Sequence, residues 1–576
     1  MSNSDSENQT KFTRRQALLL SATAGIGAAL TGTARASDSV KTAAHQEPGN
    51  CSTPGSAVAK TQYGKVRGFV SDDVFTFKGI PYGANTGGEN RWLPAKPPKP
   101  WDGEYPALIY GPNCPQNLHS WDRPATQHGQ GDAVWGSIEQ SFIQDWDDGY
   151  MGEDMLKLNI WTPSLTGKLP VMVYFHGGGF FFGSSCELPS HEGAQMARHH
   201  DVVQVSVNHR LNILGFFDLS EIGGSAYADS VNVGMTDLVV ALRWVHDNIA
   251  NFGGDPDRVM IYGQSGGGSK VTTLMGMPSA TGLFHRASVQ SGGGGNPPSA
   301  EQSREFAKQV MVELGLVPND IGALQKMEWA KLSAAATAAA NKINGPMPRT
   351  LGMGAPWGPT PRVGFGPTVD GRIITMRSFN DAAPEISKNV PMLIGSVSEE
   401  GNRMSSQPTE AEWHATLAAV IGDAKATALI AAMKKAHPEK SIRTLSYGVS
   451  GLLVRNNVTR MAKMKYEQKD APVFTYFFTW QSPMLEDAGA WHTSELAFCF
   501  DNTKRCEQGT GNTPEAQKLA KKMATAWANF ARTGNPSQRG LTWMPFDPDR
   551  CPTMVFDNQC RMVDDPEGEV RKILLT

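Results

Sequence analysis

Short apolar runs alternate with amphipathic stretches along the chain from about residue 57 onward. The apolar runs are rich in β-branched and aromatic residues and end at glycine, polar or turn residues, a pattern typical of buried strands; they are 169–175, 201–207, 258–262, 390–395 and 473–480. Between the second and third runs, Leu238, Leu242 and Ile249 recur on one face, which predicts a helix that begins near Thr236. Alternating strands and helices predict an α/β fold whose mostly parallel central sheet is flanked by helices.

The longest connection between predicted elements covers residues 296–370. It begins with helical stretches and continues into 345–367, which is rich in proline and glycine. We expect this segment to form an irregular lid or wall over the carboxyl-terminal edge of the sheet. No change of composition marks a second domain, so residues 57–576 are predicted to form one domain.

The first 36 residues have the pattern of an export signal. Arg14-Arg15 precedes a short apolar run at 17–20, and Ala34-Arg35-Ala36 has the small residues of a cleavage site. The arginine pair is typical of bacterial twin-arginine signals. We therefore expect residues 1–36 to be removed, 37–56 to act as a linker, and the mature protein to be periplasmic or secreted, without a membrane segment.

Composition narrows the choice of partner but leaves the cysteine chemistry open. The 576 residues carry a formal net charge of −3 and no long basic run, which argues against a nucleic-acid partner. All seven cysteines lie beyond the predicted signal, so at least one is unpaired in a monomer. Cys499 and Cys506, and likewise Cys551 and Cys560, are close enough in sequence to bridge, but their spacing fixes no pairing.

The glycine-rich turn 263–270, GQSGGGSK, has two interpretations. It is one transposition away from the phosphate-binding loop G-x-x-x-x-G-K-[ST]. Because Ser269 and Lys270 are exchanged, each is rotated by about 100° around the following helix and would miss its ligand. The turn also matches G-x-S-x-G, in which a sharp strand-to-helix turn exposes Ser265 and aims the N–H of Gly266 at a developing negative charge. The second interpretation makes Ser265 a nucleophile and Lys270 an ordinary early helix residue.

Residues 176–180, HGGGF, directly follow the predicted strand 169–175. Glycines let backbone N–H groups approach a substrate oxygen without obstruction, so Gly178 and Gly179 are candidate oxyanion donors together with Gly266. Phe180 and Phe181 are candidate substrate-binding residues beside this loop, with simple packing as the alternative.

Several stretches, taken in order, resemble one family. They are VRGFVSDDVFTFKGIPYG (66–83), RWLPAKPPKPWDG (91–103), GEDMLKLNIWTP (152–163), HGGGF (176–180), VNHRLNILGFF (207–217), NFGGDP (251–256), GQSGGG (263–268), LFHRASVQSG (283–292) and WANFARTGNP (527–536). Together they are similar to the type-B carboxylesterases, the α/β-hydrolase family that includes bacterial p-nitrobenzyl esterases and the cholinesterases. The resemblance covers roughly residues 57 to 576.

The resemblance implies a catalytic triad in the order Ser, Glu, His. GSVSEEG (395–401) matches the acidic motif and points to Glu400, with the adjacent Glu399 as the alternative, and GAWHTSELAF (489–498) matches the histidine motif and gives His492. Ser265 would then attack an ester carbonyl after His492 removes its proton, and Glu400 would stabilise the imidazolium. Water would hydrolyse the acyl-enzyme, so a small-molecule ester is the expected partner and neither a metal nor an organic cofactor is needed.

Two departures from the family pattern concern the surroundings of the triad. Met155 stands where the family commonly has a cysteine, so Cys114 lacks the disulfide partner that the resemblance implies. Gln264 replaces the more frequent glutamate before the serine. A choline-binding tryptophan lies in the corresponding region of cholinesterases, but the sequence around the candidates Trp121, Trp135 and Trp146 does not align with it.

Two other functions remain as alternatives. The same triad serves amidases and carbamate hydrolases, which only a substrate panel separates from esterases. A non-catalytic binding protein of the cholinesterase-like type is the other alternative, although such proteins typically lack a triad member.

Overall fold

Two sheets organise the described residues of this computed structural model, which are 56–117, 143–345, 363–364, 366–401 and 408–575. The predicted signal peptide, 1–36, and all of the predicted linker except residue 56 lie outside them. Trp121, Trp135 and most of the segment 345–367, the predicted lid, also lie outside them.

The strands occur in the chain order that the apolar runs predict, with further strands before and after these runs and one more, at 286–290, between them. They are β1 (Val58–Thr61), β2 (Gly64–Arg67), β3 (Phe69–Ser71), β4 (Val74–Pro81), β5 (Glu104–Pro106), β6 (Lys157–Thr162), β7 (Leu169–Phe175), β8 (Val203–Val207), β9 (Gly254–Gln264), β10 (Arg286–Gln290), β11 (Met392–Val397), β12 (Val473–Phe478), β13 (Pro552–Phe556) and β14 (Arg561–Asp564). One sheet has the order β1-β2-β5, and the large one has the order β14-β13-β12-β11-β10-β9-β7-β8-β6-β4-β3.

Helices cover the large sheet and fill the connections. They are α1 (Ala194–His200), α2 (Asn212–Gly215), α3 (Val233–Asn248), α4 (Gly266–Met275), α5 (Ala300–Glu313), α6 (Ile321–Gln325), α7 (Trp329–Asn344), α8 (Glu410–Ile421), α9 (Asp423–Ala436), α10 (Ile442–Glu467), α11 (Leu496–Cys499), α12 (Glu507–Thr510), α13 (Pro514–Thr533) and α14 (Gly568–Leu575). None of these helices is long and apolar enough to cross a membrane, as far as the described residues extend.

The centre of the large sheet is parallel, as predicted. Strands β8, β7, β9, β10, β11, β12 and β13 run in one direction, and the remaining strands pair antiparallel at the two ends. Side chains of β7 alternate between two apolar layers: Val173 and Phe175 pack into one, and Met172 and Tyr174 into the other. This alternation is the period of two that a strand covered on both faces must have. The segments that follow the parallel strands therefore meet at one edge of the sheet.

Two predicted starts move by three or more residues, and the other predicted boundaries move by at most two. The helix expected from Thr236 begins at Val233, because a short turn, Ser230–Asn232, leads directly into it and the buried Val233 and Met235 extend its apolar face. Strand β9 begins at Gly254 rather than residue 258, because Gly254 pairs with Leu169 across an irregularity in the β7–β9 ladder.

The described cysteines are all free thiols; they are Cys114, Cys186, Cys499, Cys506, Cys551 and Cys560. Neither of the two possible local bridges is therefore formed. Cys114 is buried and accepts a hydrogen bond from the Leu211 N–H at 3.3 Å, so a backbone contact takes the place of a disulfide. Burial raises the pKa of the Cys114 thiol to about 12, which keeps it protonated and unreactive.

A buried ion pair ties the segment after β8 to helix α3. Arg210 donates from Nε and Nη2 to the two carboxylate oxygens of Asp237 at 2.8 and 2.6 Å, and its backbone N–H adds a third bond to Asp237 at 3.1 Å. Both side chains are at most 1% exposed. The arginine also donates to the Leu93 carbonyl at 2.7 Å, so three distant segments share one guanidinium. Such a pair is costly to break because the remaining charge stays buried.

We predict that Asp237→Ala lowers the free energy of unfolding by about 3–5 kcal/mol, because it leaves the Arg210 guanidinium buried without its carboxylate. Urea unfolding followed by tryptophan fluorescence measures the change. The matched control is Asp564→Ala, which removes the carboxylate of the solvent-exposed pair Arg550–Asp564 and should change stability little. Equal losses in the two variants would contradict the importance of the buried pair.

Candidate active site

Ser265 lies in a strained turn between strand β9 and helix α4. Its φ is +57° and its ψ is −121°, a conformation that non-glycine residues rarely adopt. The turn is held on one side by a 2.7 Å hydrogen bond from the Ser265 N–H to the Gln290 carbonyl at the end of β10. Ser265 is half-buried, and helix α4 begins at the next residue. A strained residue held by its surroundings in this way is typical of functional sites.

The glycine loop after β7 packs directly against this turn. A Cβ atom added to Gly266 would lie 2.2 Å from the Gly179 carbonyl oxygen and 2.4 Å from the Gly179 nitrogen. Gly178 has a φ of +74°, and a Cβ there would lie 2.2 Å from the Phe182 carbonyl oxygen. Among the described residues, the N–H groups of Gly178, Gly179 and Gly266 have no hydrogen-bond acceptor within the protein. These donors remain available to a ligand.

The two adjacent glutamates after β11 point to different partners. Glu400 is fully buried, accepts a bond from the Val397 N–H at 3.2 Å, and forms a short hydrogen bond through Oε2 with Nδ1 of His492. Glu399 instead accepts bonds from the Lys440 ammonium and the Ala490 N–H, both at 2.7 Å. The structure thus brings Glu400 to His492 and uses Glu399 to hold the chain just before it.

His492 lies in the loop that follows β12 and is 3% exposed. The next residue, Thr493, has a φ of +86°, which is unusual for a β-branched side chain, and its hydroxyl accepts a 3.1 Å bond from Gln144. On the other side of the ring, Gln264 Nε2 lies 3.2 Å from His492 Nε2 and 3.3 Å from Nδ1. Since Gln264 directly precedes Ser265, these contacts join the histidine loop to the serine turn.

A small cleft opens beside Ser265. Its lining combines the serine turn, the glycine loop and the histidine loop with aromatic and aliphatic side chains; the residues are Trp146, Tyr174, Gly177, Gly178, Phe182, Glu187, Leu188, His191, Gln264, Ser265, Thr493 and Leu496. Of the three consecutive phenylalanines 180–182, Phe182 is the one that lines the cleft. Phe180 packs at 5.4 Å against the ring of Phe216, and Phe181 is 44% exposed, so the role predicted for these two in substrate binding stays a prediction.

The sequence-based interpretation of Lys270 as an ordinary helix residue is wrong. The side chain is fully buried, and its ammonium donates to the His176 carbonyl at 2.8 Å and approaches the Gly177 carbonyl at 3.4 Å. Glu187, for which no motif gave a signal, is buried nearby and accepts a short bond from the Ser184 N–H. Both side chains therefore hold the backbone of the segment that contains the glycine loop.

Burial shifts the proton affinities of several groups around the site. It raises the pKa of Glu495 to about 8, and the neighbouring Glu400 adds to the shift. It lowers the pKa of Lys270 to about 7, although Glu187 partly opposes this shift. The buried imidazole of His176 has its pKa lowered well below the ordinary value by burial and by Lys270, and so stays neutral. No group of side chains suited to holding a metal ion occurs within the described ranges.

A larger cavity of about 470 Å³ lies away from these groups. Its lining includes Arg286, the first residue of β10, and Pro391, which directly precedes β11. It therefore opens at the amino-terminal edge of the parallel strands, opposite the edge that carries Ser265 and His492.

Comparisons with known proteins concern the chain as a whole. The model of the carboxylesterase family matches residues 55–571. The para-nitrobenzyl esterase of Bacillus subtilis is 29% identical, with 90% of this chain and 98% of that protein covered, and the phenmedipham hydrolase of Pseudarthrobacter oxydans is 31% identical, with 87% and 95% covered. An esterase from Clostridium hathewayi, described as hydrolysing aliphatic aromatic polyesters, superimposes with a TM-score of 0.74 at 33% identity, over 90% of this chain and 97% of that one.

The chain belongs to the carboxylesterase family and has its α/β-hydrolase fold. A carboxylesterase from Geobacillus stearothermophilus superimposes with a TM-score of 0.71 at 32% identity, over 90% of this chain and 99% of that one. The predicted resemblance and fold class are therefore confirmed, and the protein is an enzyme of the carboxylesterase class.

We predict that Glu495→Gln weakens the pH dependence of stability between about pH 4.5 and pH 8. In that window the folded protein keeps a proton on Glu495 that the unfolded chain has released, so the free energy of unfolding falls as the pH rises. Glutamine does not titrate, so the slope of stability against pH should become shallower by up to about 1.4 kcal/mol per pH unit. Urea unfolding at intervals of pH measures it.

The control for this prediction is Glu467→Gln, at the exposed end of α10, which should keep the slope of the unmodified protein. A slope remains in Glu495→Gln because burial also raises the pKa of Glu187 to about 8 and acts in the same direction. Identical slopes in Glu495→Gln and the unmodified protein would show that Glu495 does not hold this proton.

Proposed function

We propose that the protein hydrolyses carboxylic esters through an acyl-enzyme formed on Ser265. The observation that carries the proposal is the buried hydrogen bond between Glu400 and Nδ1 of His492, at the sheet edge where Ser265 and the glycine loop also lie. A histidine that donates its Nδ1–H to a carboxylate carries its lone pair on Nε2, the nitrogen that accepts a proton in this chemistry. This is the arrangement that activates a serine hydroxyl.

Acylation in this proposal begins when Ser265 Oγ attacks the ester carbonyl and its proton moves to Nε2 of His492. Glu400 stabilises the imidazolium that forms. The carbonyl oxygen becomes an oxyanion, which the N–H groups of Gly178, Gly179 and Gly266 bind, each donor being worth about 3 kcal/mol of transition-state stabilisation. His492 then gives its proton to the departing alcohol.

Deacylation repeats the same steps with water in place of Ser265. His492 takes a proton from the water, the hydroxide adds to the acyl carbon, and the serine leaves with that proton. Every proton is carried by the imidazole, so the proposed reaction uses no added cofactor.

The proposed substrates are small organic esters with little charge. The cleft beside Ser265 has apolar walls at Trp146, Phe182 and Leu188, next to polar side chains that include Glu187 and Gln264. Apolar walls of this kind favour uncharged parts of a ligand. The name of the Bacillus subtilis relative, a para-nitrobenzyl esterase, supports simple aromatic esters as the first class to test.

We predict that Ser265→Ala lowers kcat for p-nitrophenyl butyrate by at least about 10⁴-fold, because the nucleophile is lost and only binding and oxyanion donors remain. The control is Ser269→Ala in helix α4. The Ser269 hydroxyl accepts a bond from the Gly293 N–H at 3.2 Å, and kcat of this variant should stay within about threefold of that of the unmodified protein. A fluorophosphonate probe followed by peptide mass spectrometry should label Ser265 alone. Activity retained in Ser265→Ala would refute the proposal.

We predict that the adjacent glutamates separate by their effects on kcat. Glu400→Gln should lower kcat by about 10²–10⁴-fold with little change in KM, because the neutral amide cannot stabilise the imidazolium. Glu399→Gln, which weakens the bond to Lys440 but keeps an acceptor for the Ala490 N–H, should lower kcat by about tenfold at most. Steady-state kinetics and melting temperatures of both variants provide the comparison. A larger kcat loss in Glu399→Gln would reverse the assignment.

A further inference from the structure

Lys270 places a buried ammonium directly beneath the glycine loop. It is 0% exposed, lies in the first turns of α4, and donates to the His176 carbonyl at 2.8 Å while lying 3.4 Å from the Gly177 carbonyl. A buried cation is costly unless its hydrogen bonds are satisfied, and no carboxylate lies within ion-pair distance of it among the described residues. Its partners are therefore the carbonyls of this loop.

The geometry of the peptide bond connects these carbonyls to the oxyanion donors. In a trans peptide the C=O and N–H of one planar unit point in opposite directions. The Gly177 carbonyl and the Gly178 N–H belong to one such unit, so drawing the carbonyl towards Lys270 turns the Gly178 N–H to the opposite side. The His176 carbonyl fixes the preceding unit in the same way. Gly177, Gly178 and Gly179 have no Cβ atoms, so this loop would otherwise have wide conformational freedom.

The charge of the ammonium adds a second effect. A hydrogen bond from a cation to a carbonyl polarises the whole peptide unit and strengthens the bond that its N–H can donate. Glu187 favours the charged form of Lys270 at longer range, and the neutral imidazole of His176 does not compete with it. The ring of Phe180 also faces the ammonium, 5.9 Å from its centroid. Glu187 offsets only part of the effect of burial, so the pKa of Lys270 is about 7 and the ammonium is the main form below that pH.

We propose that Lys270 is a positioning residue for the oxyanion donors: by holding the carbonyls of His176 and Gly177, its ammonium aims and polarises the Gly178 N–H. Lys270 acts through the backbone and does not touch the substrate. The inference rests on the proposed function, because it assigns Lys270 a part in stabilising the oxyanion of that reaction.

The test replaces Lys270 with Met, which has a side chain of similar length but donates no hydrogen bond. For p-nitrophenyl butyrate, Lys270→Met should lower kcat by about 10- to 100-fold and leave KM within about threefold, because the donor is misaligned rather than removed. Lys270→Gln keeps an uncharged N–H donor and should give an intermediate loss. The inhibition constant of an alkyl trifluoromethyl ketone is the second readout.

The trifluoromethyl ketone reports on the oxyanion specifically. Ser265 Oγ adds to its carbonyl carbon, the hydroxyl proton goes to His492, and the ketone oxygen becomes an oxyanion against the glycine loop. Its inhibition constant should therefore rise by the same factor by which kcat falls. The matching ketone without fluorine, which forms little adduct, should bind the variants and the unmodified protein alike.

The matched control is Lys465→Met. Lys465 is also buried and donates to two backbone carbonyls, those of Ser387 at 3.0 Å and Lys388 at 2.6 Å, but these lie before β11 at the opposite edge of the sheet. Its variant should melt at a lower temperature while kcat and the inhibition constant stay within about twofold. Comparing Lys465→Met with Lys270→Met therefore separates the general effect of losing a buried ammonium from the specific effect of losing the ammonium beneath the glycine loop.

Three results would overturn the proposal. Lys270→Met could keep kcat and the inhibition constant of the fluoroketone within twofold, or it could raise KM alone. It and Lys270→Gln could both fail to fold, which would make Lys270 a structural residue. These results can be distinguished from failure of the proposed function. That failure would appear as activity retained in Ser265→Ala, which is measured in the same experiment.

Discussion

The contact between the glycine loop and the Ser265 turn is the constraint on which the rest of the site depends. Strands β7 and β9 pair in parallel with Phe175 opposite Gly263, so both end at the same level and their following segments must meet. The space left is so small that a Cβ on Gly266 would lie 2.2 Å from the Gly179 carbonyl oxygen. Glycine is therefore needed at these positions simply for the two segments to pack. The same close packing directs their backbone N–H groups towards one point.

The neighbouring strands supply the remaining groups through the same parallel geometry. Strand β11 ends at Val397, three residues before Glu400, and β12 ends at Phe478, from which a longer loop returns to place His492. The long loop is not left unsupported: Glu399 accepts the Ala490 N–H, and the Glu399 N–H donates to the Ala490 carbonyl at 3.1 Å. The two adjacent carboxylates thus have different roles: Glu400 contacts the imidazole, and Glu399 fixes the chain that carries it.

Motifs that follow strands could be predicted from the sequence, because a strand end and a glycine-rich turn are both encoded within a few residues. Ser265 and the glycine loop are of this kind, as is the parallel centre of the sheet. The family motif pointed to Glu400 over Glu399, but only the fold shows which distant segment each side chain reaches. The expected export signal and lid, which fall outside the described residues, stay predictions.

Lys270 shows why other residues around the site could not be identified from the sequence. A lysine in the first turns of a helix is ordinarily solvated, and its burial arises only because a loop 94 residues earlier in the chain lies over it. Glu187 likewise matches no motif: the Ser184 N–H that it holds is a local contact, but Lys270, whose pKa it raises, comes near it only in the fold. The described cysteines, none of which forms a disulfide, are a further case, because spacing in sequence cannot tell a free cysteine from a paired one.

The buried charges lie on the two sides of the Ser265 turn in the order that the proposed reaction requires. In that proposed reaction, proton transfer from Ser265 would create a positive imidazole and a negative substrate oxygen at the same moment. Glu400 lies behind the imidazole, and the Lys270 ammonium lies behind the loop that would bind the oxygen. Between them, Gln264 contacts His492 with an uncharged amide, where a carboxylate would have placed a negative charge near the developing oxyanion. Because these groups are fixed and shielded from water before reaction, their field costs no reorganisation when the charges appear.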